Sequence, residues 1–210
     1  MPKIVDVELK RIELAEVTWR LIAEEGFEAT TMRRIAERAN CTTGLVTHYF
    51  ASKDELLLAA VERGIDAAEK RRLYLRNVAP GLPVLREFIV TMLPLDEPMR
   101  LHWQVWISLW EQAAIKPMLA KEWLRMTEFS KTQLRAHVDD AFRRKHLQQY
   151  IDIDLQTRTL YSLIYGLALD VHHKDRAWDK TATNVIDSYL RTISTPMHWN
   201  ALDLETSTAS

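Results

Sequence analysis

Residues 42–56 read TTGLVTHYFASKDEL, a segment that carries two separate helix starts. Thr42 is placed to cap a short helix over 43–50, since a threonine oxygen accepts a hydrogen bond from a backbone N–H of the first turn. Ser52 and Glu55 form the S-x-x-E pattern of a capping box, which predicts the start of a further helix. The short helix has almost no conventional catalytic side chains, so its role must come from what surrounds it.

A second short helix and a supporting helix precede this segment. Apolar residues at helical spacing predict a helix over 31–39, and the turn 40–42 separates it from the helix at 43–50. A longer apolar stripe predicts a first helix over 6–25, followed by Gly26 as an αL C-cap. Two short helices joined by a tight turn and backed by a third are typical of a helix-turn-helix, whose second short helix enters the major groove of DNA.

The rest of the chain keeps the same helical period. Apolar residues recur at helical spacing and strand-like alternation is scarce, which predicts an all-α fold of about nine helices. Proline-bearing segments separate the later helices, which are predicted at 53–76, 84–93, 97–114, 117–146, 154–173 and 179–194. We expect a helix-turn-helix DNA-binding domain over 1–53, a helical ligand-binding and dimerisation domain over 54–196, and a flexible tail over 197–210.

Charge supports a nucleic-acid partner only locally. The 210 residues carry a formal net charge of -1, so DNA binding needs basic side chains gathered on one face. Within 31–53 the acidic residue Glu37 stands against a group of basic ones, namely Arg33, Arg34, Arg38 and Lys53. This segment therefore predicts a local basic surface that approaches phosphates without repulsion.

Cysteine content and hydropathy indicate the compartment. Cys41 is the only cysteine in the sequence, so neither an intramolecular disulfide nor a multi-thiolate zinc site can form. No apolar run approaches the roughly 20 residues of a membrane span, and the N-terminus lacks the pattern of a signal peptide. We expect a cytoplasmic protein that contacts no membrane.

Three motifs near the N-terminus resemble the TetR family of bacterial transcriptional regulators. They are ATTMRRIAERA at 29–39, T-x-G-x-V-x-x-Y-F at 42–50 and SKDELL at 52–57. Within that family, the chain is similar to the choline-responsive repressors of betaine-synthesis genes, through VWISLW at 105–110, KPML at 116–119, LIYGL at 163–167 and DKT at 179–181. The resemblance implies a repressor that binds DNA and is released by a small-molecule ligand.

The same resemblance implies DNA contacts by motif position. Base edges or the groove wall are expected to meet Thr43, Leu45, Thr47 and His48. Arg33 is expected to reach a groove from the preceding helix, and Thr42, Tyr49 and Lys53 to hold phosphates. The residue types agree with this, because arginine can donate two hydrogen bonds to guanine and a threonine methyl can touch a thymine methyl. The common family pattern has tyrosine where Thr47 stands and often lysine where Thr43 stands.

Aromatic residues in the C-terminal part are candidates for the ligand site. They are Trp103, Trp106, Trp110, Trp123, Tyr161 and Tyr165. An aromatic stripe is also what an ordinary helical core contains, so core packing is the alternative for each of them. The resemblance to choline-responsive repressors implies a quaternary ammonium held on aromatic faces. The same side chains would suit a flat aromatic or apolar ligand.

The last two predicted helices each carry an apolar stripe. The first contains Leu160, Leu163, Ile164, Leu167 and Val171, and the second contains Val185, Ile186, Tyr189 and Ile193. Such stripes suit a four-helix interface between two copies of the chain, with Gly166 allowing close approach, although packing within one chain is the alternative. A homodimer would set its recognition helices roughly 34 to 36 Å apart, so the operator should be palindromic.

Two other classes of function compete with this prediction. An all-α enzyme or metal protein would draw on His172 and His173 with Asp170 and Asp175, or on His137 with Asp139 and Asp140. Adjacent histidines on a helix point about 100° apart, and no nucleophile, base and orienting group stand in a recognisable pattern. We therefore expect no catalytic residue, metal or cofactor. The other alternative is a helical scaffold or interaction protein that does not bind DNA.

Overall fold

The computed structural model describes residues 3–170 and 176–199. Within these ranges the chain forms nine α-helices, one 3₁₀ segment and no β-strand, which confirms the all-α prediction. The helices are α1 (Lys3–Ala29), α2 (Met32–Arg38), α3 (Thr43–Tyr49), α4 (Lys53–Arg71), α5 (Leu82–Val90), α6 (Glu97–Ala113), α7 (Pro117–Arg143), α8 (Ile153–Ala168) and α9 (Arg176–Ile193).

The chain divides into two compact units. The first consists of Met1–Arg71 and Arg100–Lys121, and the second of Arg72–Met99 and Glu122–Ser210. The first unit contains the helix-turn-helix. The functional division at residue 53 stays a prediction.

The core of the first unit joins the first four helices. Fully buried apolar side chains from α1, α2, α3 and α4 form one cluster, which includes Leu14, Ile35, Val46 and Leu56. Burying each of these side chains contributes about 1.5 to 3 kcal/mol to folding. The cluster fixes the inner face of each short helix, so it also determines which side chains face outward.

Helix α4 packs against α1 through a glycine. A Cβ atom at Gly64 would lie 2.1 Å from the indole ring of Trp19 on α1. Real carbon atoms cannot approach so closely, so only glycine admits the tryptophan at this place.

The backbone departs from the predicted geometry at the end of α1. Gly26 has φ 80° and ψ 170°, which interrupts the helix before Phe27. The predicted αL conformation is wrong here, because αL requires ψ near +47°. The combination of positive φ and extended ψ is one that essentially only glycine adopts, so the need for glycine at this position stands.

Helix α4 is shorter than the sequence predicts. It ends at Arg71 rather than at residue 76, and the chain tightens into a 3₁₀ segment over Arg72–Asn77. Helix α7 ends at Arg143, because Lys145 takes a left-handed φ of 60°. Helix α8 ends at Ala168, and residues 171–173 of the helix predicted over 154–173 lie outside the described residues.

In the second unit, polar contacts tie α5 to its neighbours. Arg86 on α5 binds both carboxylate oxygens of Asp187 on α9, at 2.7 and 2.8 Å. The Leu82 N–H at the start of α5 donates to Nδ1 of His146 at 3.1 Å, which satisfies a backbone donor that no side-chain cap in α5 reaches. His146 in turn stacks on His198 with ring centres 4.0 Å apart.

The predicted tail begins with ordered structure. Residues 196–199 form a short helical segment, and Trp199 is buried beneath the guanidinium of Arg191, 4.9 Å from the ring centre. Residues 200–210 lie outside the described residues.

Candidate DNA-binding surface and effector region

Two side-chain caps and a left-handed turn shape the helix-turn-helix. The Thr31 hydroxyl oxygen caps α2 by accepting a hydrogen bond from the Arg34 N–H at 3.2 Å. Thr42 caps α3 in the same way, accepting from the Leu45 N–H at 3.1 Å, as the sequence predicts. Asn40 makes the turn between the helices with a φ of 50°, which asparagine tolerates better than most residues.

Helix α3 has one buried face and one exposed face. Val46 and the capping residue Phe50 are fully buried. Thr43, Thr47 and His48 are exposed, and the first two lie one turn apart on the same side of the helix. This exposed face presents hydroxyl, methyl and imidazole groups, all of which can contact base edges in a major groove.

Thr42 and Thr47 use only part of their hydrogen-bonding capacity within the helix. Thr42 accepts from a backbone N–H, and the Thr47 hydroxyl donates to the carbonyl of Gly44 at 3.1 Å. A threonine hydroxyl is one donor and two acceptors. Thr42 therefore still has its O–H as a donor, and Thr47 still has its acceptor lone pairs and its methyl group, beyond these contacts within the helix.

Leu45 and Tyr49 are half-buried, between the two faces of α3. The Tyr49 ring packs against the core of the first unit and meets the His48 imidazole edge-on, with ring centres 5.1 Å apart. Tyr49 therefore supports His48 from the side. The phosphate contact expected of Tyr49 stays a prediction.

The basic surface is smaller than the sequence count implies. Arg34 binds both carboxylate oxygens of Glu25 at 2.7 and 3.1 Å, and Arg38 bonds to Glu24. The hydrogen bond to Glu25 raises the pKa of Arg34. These two acids belong to α1 and lie outside residues 31–53, so two of the four basic side chains of that segment are paired with carboxylates from another helix.

Arg33 is the most exposed of the three arginines on α2. Its side chain is 85% exposed and donates from Nε to Glu37, one turn along the same helix, at 2.9 Å. An exposed pair at this spacing contributes little to stability, so a guanine or a phosphate can displace Glu37 at little cost. The structure therefore keeps Arg33 as a candidate for DNA contact.

Lys53 has a partner inside the protein. Its ammonium group donates to the carbonyl of Phe27 at 2.9 Å. Burial lowers the pKa of Lys53, and the nearby Lys116 lowers it further, while Glu28 and Asp54 oppose this. A phosphate contact by Lys53 would have to share this ammonium group with Phe27.

Sequence reasoning did not identify Arg11, which contacts the end of α3 from α1. It donates to the carbonyl of Tyr49 and, at 3.0 Å, to the carboxylate of Glu55. The capping box explains Glu55 in part, since the Glu55 N–H donates to Ser52 Oγ at 3.1 Å. No local pattern could have found Arg11, because it lies 38 residues from Tyr49 along the chain.

The six aromatic candidates for effector binding divide evenly between the two units. In the first unit, Trp103 and Trp106 are buried, whereas Trp110 is 59% exposed. The Trp106 indole N–H donates to His102, whose ring centre lies 5.5 Å from that of Trp19. Trp103 and Trp106 thus take part in core packing, as the alternative interpretation expects.

In the second unit, the other three aromatic candidates lie together. The hydroxyls of Tyr161 and Tyr165 are 2.7 Å apart, and Trp123 meets Tyr165 edge-on with ring centres 6.3 Å apart. The ammonium of Lys131 lies 5.5 Å from the Tyr161 ring centre, so this ring already accepts a cation on one face. Burial raises the pKa of both tyrosines, so both hydroxyls are neutral hydrogen-bonding groups.

The predicted dimer stripes are partly used within one chain. Leu160 and Ile164 of α8 and Ile186 of α9 are fully buried in the protomer. Tyr189 is half-buried and bonds to Gln156. Packing within one chain is therefore correct for these side chains, and Val171 lies outside the described residues.

A different face of α8 remains exposed. It carries Leu155, Arg158, Ser162 and Gly166 at intervals of three or four residues, and Leu169 follows as the C-cap. A Cβ atom at Gly166 would meet nothing within 4 Å. A second helix could approach α8 closely at this glycine.

The side chains considered for catalysis or metal binding have structural contacts. His137 packs on Phe88 with ring centres 4.4 Å apart, Asp139 pairs with Arg143 at the end of α7, and Asp140 pairs with Arg144 just beyond it. In the part of the chain that the structure describes, no three His, Cys, Asp or Glu residues are grouped so as to hold a metal ion. The other set includes His172, His173 and Asp175, which lie outside that part.

Over 3–170 and 176–199, no helix is both long and apolar enough to cross a bilayer.

Family models match both parts of the chain. The model described as bacterial regulatory proteins, tetR family, matches residues 14–60. The model described as BetI-type transcriptional repressor, C-terminal, matches residues 83–195. The chain therefore belongs to the TetR family and carries a BetI-type C-terminal domain.

Similar proteins agree with this assignment. PksA of Bacillus subtilis (strain 168), a helix-turn-helix transcriptional regulator, is 32% identical over 171 residues, which cover 80% of this chain and 82% of that protein. The regulator BetI of Burkholderia mallei (strain NCTC 10229) is 34% identical over 158 residues, covering 67% of this chain and 78% of that protein. The protein is thus a DNA-binding transcriptional regulator and not an enzyme.

A solved structure shares the fold. It is that of a transcriptional regulator from Saccharomonospora viridis in complex with choline, with a TM-score of 0.82 at 21% identity, and the match covers 90% of this chain and 99% of that one.

Proposed function

We propose that the protein is a repressor that binds a palindromic operator as a homodimer and leaves it when a small molecule binds to the C-terminal part. The exposed face of α3 carries this proposal: Thr43, Thr47 and His48 point away from a core that fixes the helix. Because the proposed partner is chromosomal DNA, we place its action in the cytoplasm.

In this proposal the two short helices divide the work of DNA recognition. Thr43, Leu45, Thr47 and His48 read base edges, and Arg33 reaches the groove from α2. Thr42, Tyr49 and Lys53 hold phosphates, which fixes the register of α3 on the duplex. A phosphate at Lys53 competes with the carbonyl of Phe27, so we expect this contact to be the weakest of the eight.

A homodimer through α8 and α9 supplies the second recognition helix. The exposed face of α8, with Gly166 near the C-terminal end of the helix, supports this arrangement, as does the exposed Val185 on α9. Two recognition helices related by a twofold axis read two inverted half-sites, which is why the operator is expected to be palindromic.

For the effector we propose a quaternary ammonium compound. The S. viridis regulator of similar fold was solved with choline, and Trp123, Tyr161 and Tyr165 offer aromatic faces in the second unit of this chain. Each face contributes about 0.5 to 2 kcal/mol to binding a cation. Trp103, Trp106 and Trp110 are the candidates from the first unit, and a flat aromatic or apolar compound is the alternative ligand.

Helix α4 is the element that we propose to couple effector and operator. It begins at Lys53, three residues after Phe50, the C-cap of the recognition helix α3. It ends at Arg71, the residue after which the chain passes from the first unit into the second. The effector would favour a dimer whose two recognition helices do not match the spacing of the operator half-sites. A preference of about 1 to 3 kcal/mol for that dimer would release the operator.

Selection from a pool of random duplexes at two salt concentrations tests the DNA part of this proposal. The wild type should enrich a palindrome, and Arg33→Ala and His48→Ala should weaken or relax it. Arg143→Ala is the matched control, since Arg143 also forms an i,i+4 pair, with Asp139 at 2.8 Å, and its side chain is 76% exposed. Failure of the wild type to enrich any sequence at either salt concentration contradicts the proposal.

Calorimetric titration with choline chloride tests the effector. Its neutral isostere 3,3-dimethylbutan-1-ol has the same shape without the charge, so it should bind at least about ten-fold more weakly if aromatic faces hold the cation. Tyr161→Phe keeps the ring and should retain binding, whereas Tyr161→Leu should lose it. Equal affinity for choline and the isostere would favour the apolar ligand instead.

A further inference from the structure

The last turn of the recognition helix is held from outside the helix-turn-helix by Arg11 of α1. Its guanidinium donates to the carbonyl of Tyr49, the last residue of α3. The same group lies 4.1 Å from the ring centre of Phe50, the residue that ends the helix. One side chain thus contacts both residues at which α3 stops.

This contact satisfies a need that a short helix cannot meet alone. The last four carbonyls of any helix lack partners within it, and the C-terminal end carries a partial negative charge. Helix α3 has seven residues, too few to be stable without outside contacts. An arginine at this end supplies both a donor and a positive charge.

The contact continues into the turn between α3 and α4. Arg11 pairs with Glu55 at 3.0 Å, and Glu55 also accepts from the Ala51 N–H at 2.8 Å. The hydrogen bond from Arg11 is the main reason why the pKa of Glu55 is lowered, followed by the bond from Ala51. Arg11 and Glu55 therefore hold the turn at 50–52 from two sides.

We propose that Arg11 is a positioning residue for sequence recognition, which sets the angle at which α3 presents its exposed face to base edges. The inference rests on the proposed reading of an operator by α3. Arg11 precedes residue 14, where the match to the DNA-binding family model begins. The Arg11 guanidinium already binds the Tyr49 carbonyl and the Glu55 carboxylate. In this proposal it therefore acts on DNA by positioning α3 and not by binding a phosphate.

Arg11→Met tests this, because methionine keeps an apolar stem and loses the donors. The matched control is Arg63→Met, since Arg63 also joins α4 to α1, through Glu16 at 2.6 Å, without touching the turn at 50–52. Fluorescence anisotropy would give the affinities for the selected operator and for a scrambled duplex over a salt series. Urea unfolding would give the folded fraction of each variant.

We expect Arg11→Met to lower operator affinity about ten-fold, the equivalent of one base contact, with scrambled-duplex affinity within about two-fold. The slope of log affinity against log salt should stay unchanged, and Arg63→Met should leave both affinities unchanged. A slope reduced by about 0.9 with equal loss on both duplexes would instead make Arg11 a phosphate contact. If the operator affinity of Arg11→Met equals that of the wild type after correction for the folded fraction, Arg11 only stabilises the fold. Either result overturns the proposal.

Hydrogen exchange on the free protein separates this inference from the operator proposal. The Phe50 N–H, which donates to the carbonyl of Val46 at 3.0 Å, should exchange faster in Arg11→Met and at the wild-type rate in Arg63→Met. Unchanged exchange at Phe50 overturns the positioning role. If the wild type enriches no sequence but the Phe50 N–H exchanges faster in Arg11→Met, the operator proposal fails and the role of Arg11 at the end of α3 stands.

Discussion

Helices α3 and α8 divide their surfaces in the same way but offer different chemistry to a partner. Each buries one face in its own unit, with Val46 in α3 and Ile164 in α8 fully inaccessible. On its outer face α3 exposes hydroxyl and imidazole groups, whereas α8 exposes the small residues Ser162 and Gly166 with Leu155 and Leu169, and one charged side chain, Arg158. Hydrogen-bonding groups suit base edges, and a small apolar face suits another helix. The exposed chemistry, more than the helical pattern, therefore distinguishes a DNA-reading helix from an association helix.

Gly166→Arg should produce the largest effect, because it places charge and bulk in the proposed dimer face. A Cβ atom at Gly166 meets nothing within 4 Å in the protomer, so the subunit should still fold. Loss of the second half-site should lower operator affinity at least about a hundred-fold. Light scattering after gel filtration would report the mass in solution, and anisotropy the affinity.

Ala136→Arg on α7 is the control for this variant, since that position is exposed and lies outside α8 and α9. It should leave both mass and affinity unchanged. A Gly166→Arg protein that stays dimeric and binds the operator as the wild type does would place the dimer face elsewhere.

Gly64→Ala should have the next largest effect, and it tests buried packing rather than an exposed face. The new methyl group would overlap the Trp19 ring, so we expect the free energy of unfolding to fall by about 2 kcal/mol, as for other overpacked sites. Urea unfolding followed by circular dichroism measures this. Glu62→Ala, at an exposed position on the same helix, should change stability by less than about 0.5 kcal/mol.

His48→Ala should lower operator affinity about ten-fold, the equivalent of one base contact, and relax the preference at one position of each half-site. The exposed imidazole contributes little to the fold, so the melting temperature should hold. Competition binding with duplexes changed at single positions would locate the relaxed base. Uniform weakening at every position would mean that His48 contacts the backbone of the DNA.

The two units should respond to acid in different pH ranges. In the second unit, burial lowers the pKa of His137 and His146 below 6.5, so their contribution is complete above about pH 6.5 and is lost as pH falls through that value towards the folded-state pKa. In the first unit, hydrogen bonds from arginine lower the pKa of Glu25, Glu37 and Glu55 below 4.5. Their contribution is present above pH 4.5 and is lost only as pH falls through the lowered values.

Melting temperatures between about pH 7.5 and 5.5 check the histidine range. The wild type should lose a few degrees, and His146→Gln, which does not titrate, should lose less over the same interval. The groups that face His146 are Asp140, Arg144 and His198, so the variant should be compared at constant ionic strength. A wild-type melting temperature that is flat over this range would contradict the lowered pKa of the two histidines.

Local signals explain why the helix-turn-helix was predictable from the sequence. The helices predicted at 31–39 and 43–50 are observed as Met32–Arg38 and Thr43–Tyr49, because caps and turn residues within a few positions decide their ends. The same holds for the start of α4 at Lys53. Its end was missed, since no glycine or proline marks the change to a 3₁₀ segment at Arg72.

Contacts between distant residues account for what the sequence could not predict. Two sets of contacts depend on how the helices pack. They are the pairs of Arg34 and Arg38 with carboxylates of α1, and the contact of Arg11 with the end of α3. The apolar stripe of α8 could face its own core or a second copy, and only the fold shows that Leu160 is buried within one chain. Periodicity identifies a face but not its partner.

Exchanging the exposed face of α3 shows whether this face reads the operator. Thr43→Lys with Thr47→Tyr introduces the residues of the common family pattern at two exposed positions without touching the core. In duplex selection, the double variant should enrich a palindrome with a new half-site sequence and the wild-type spacing between half-sites. Enrichment of the wild-type sequence by the double variant would contradict the account.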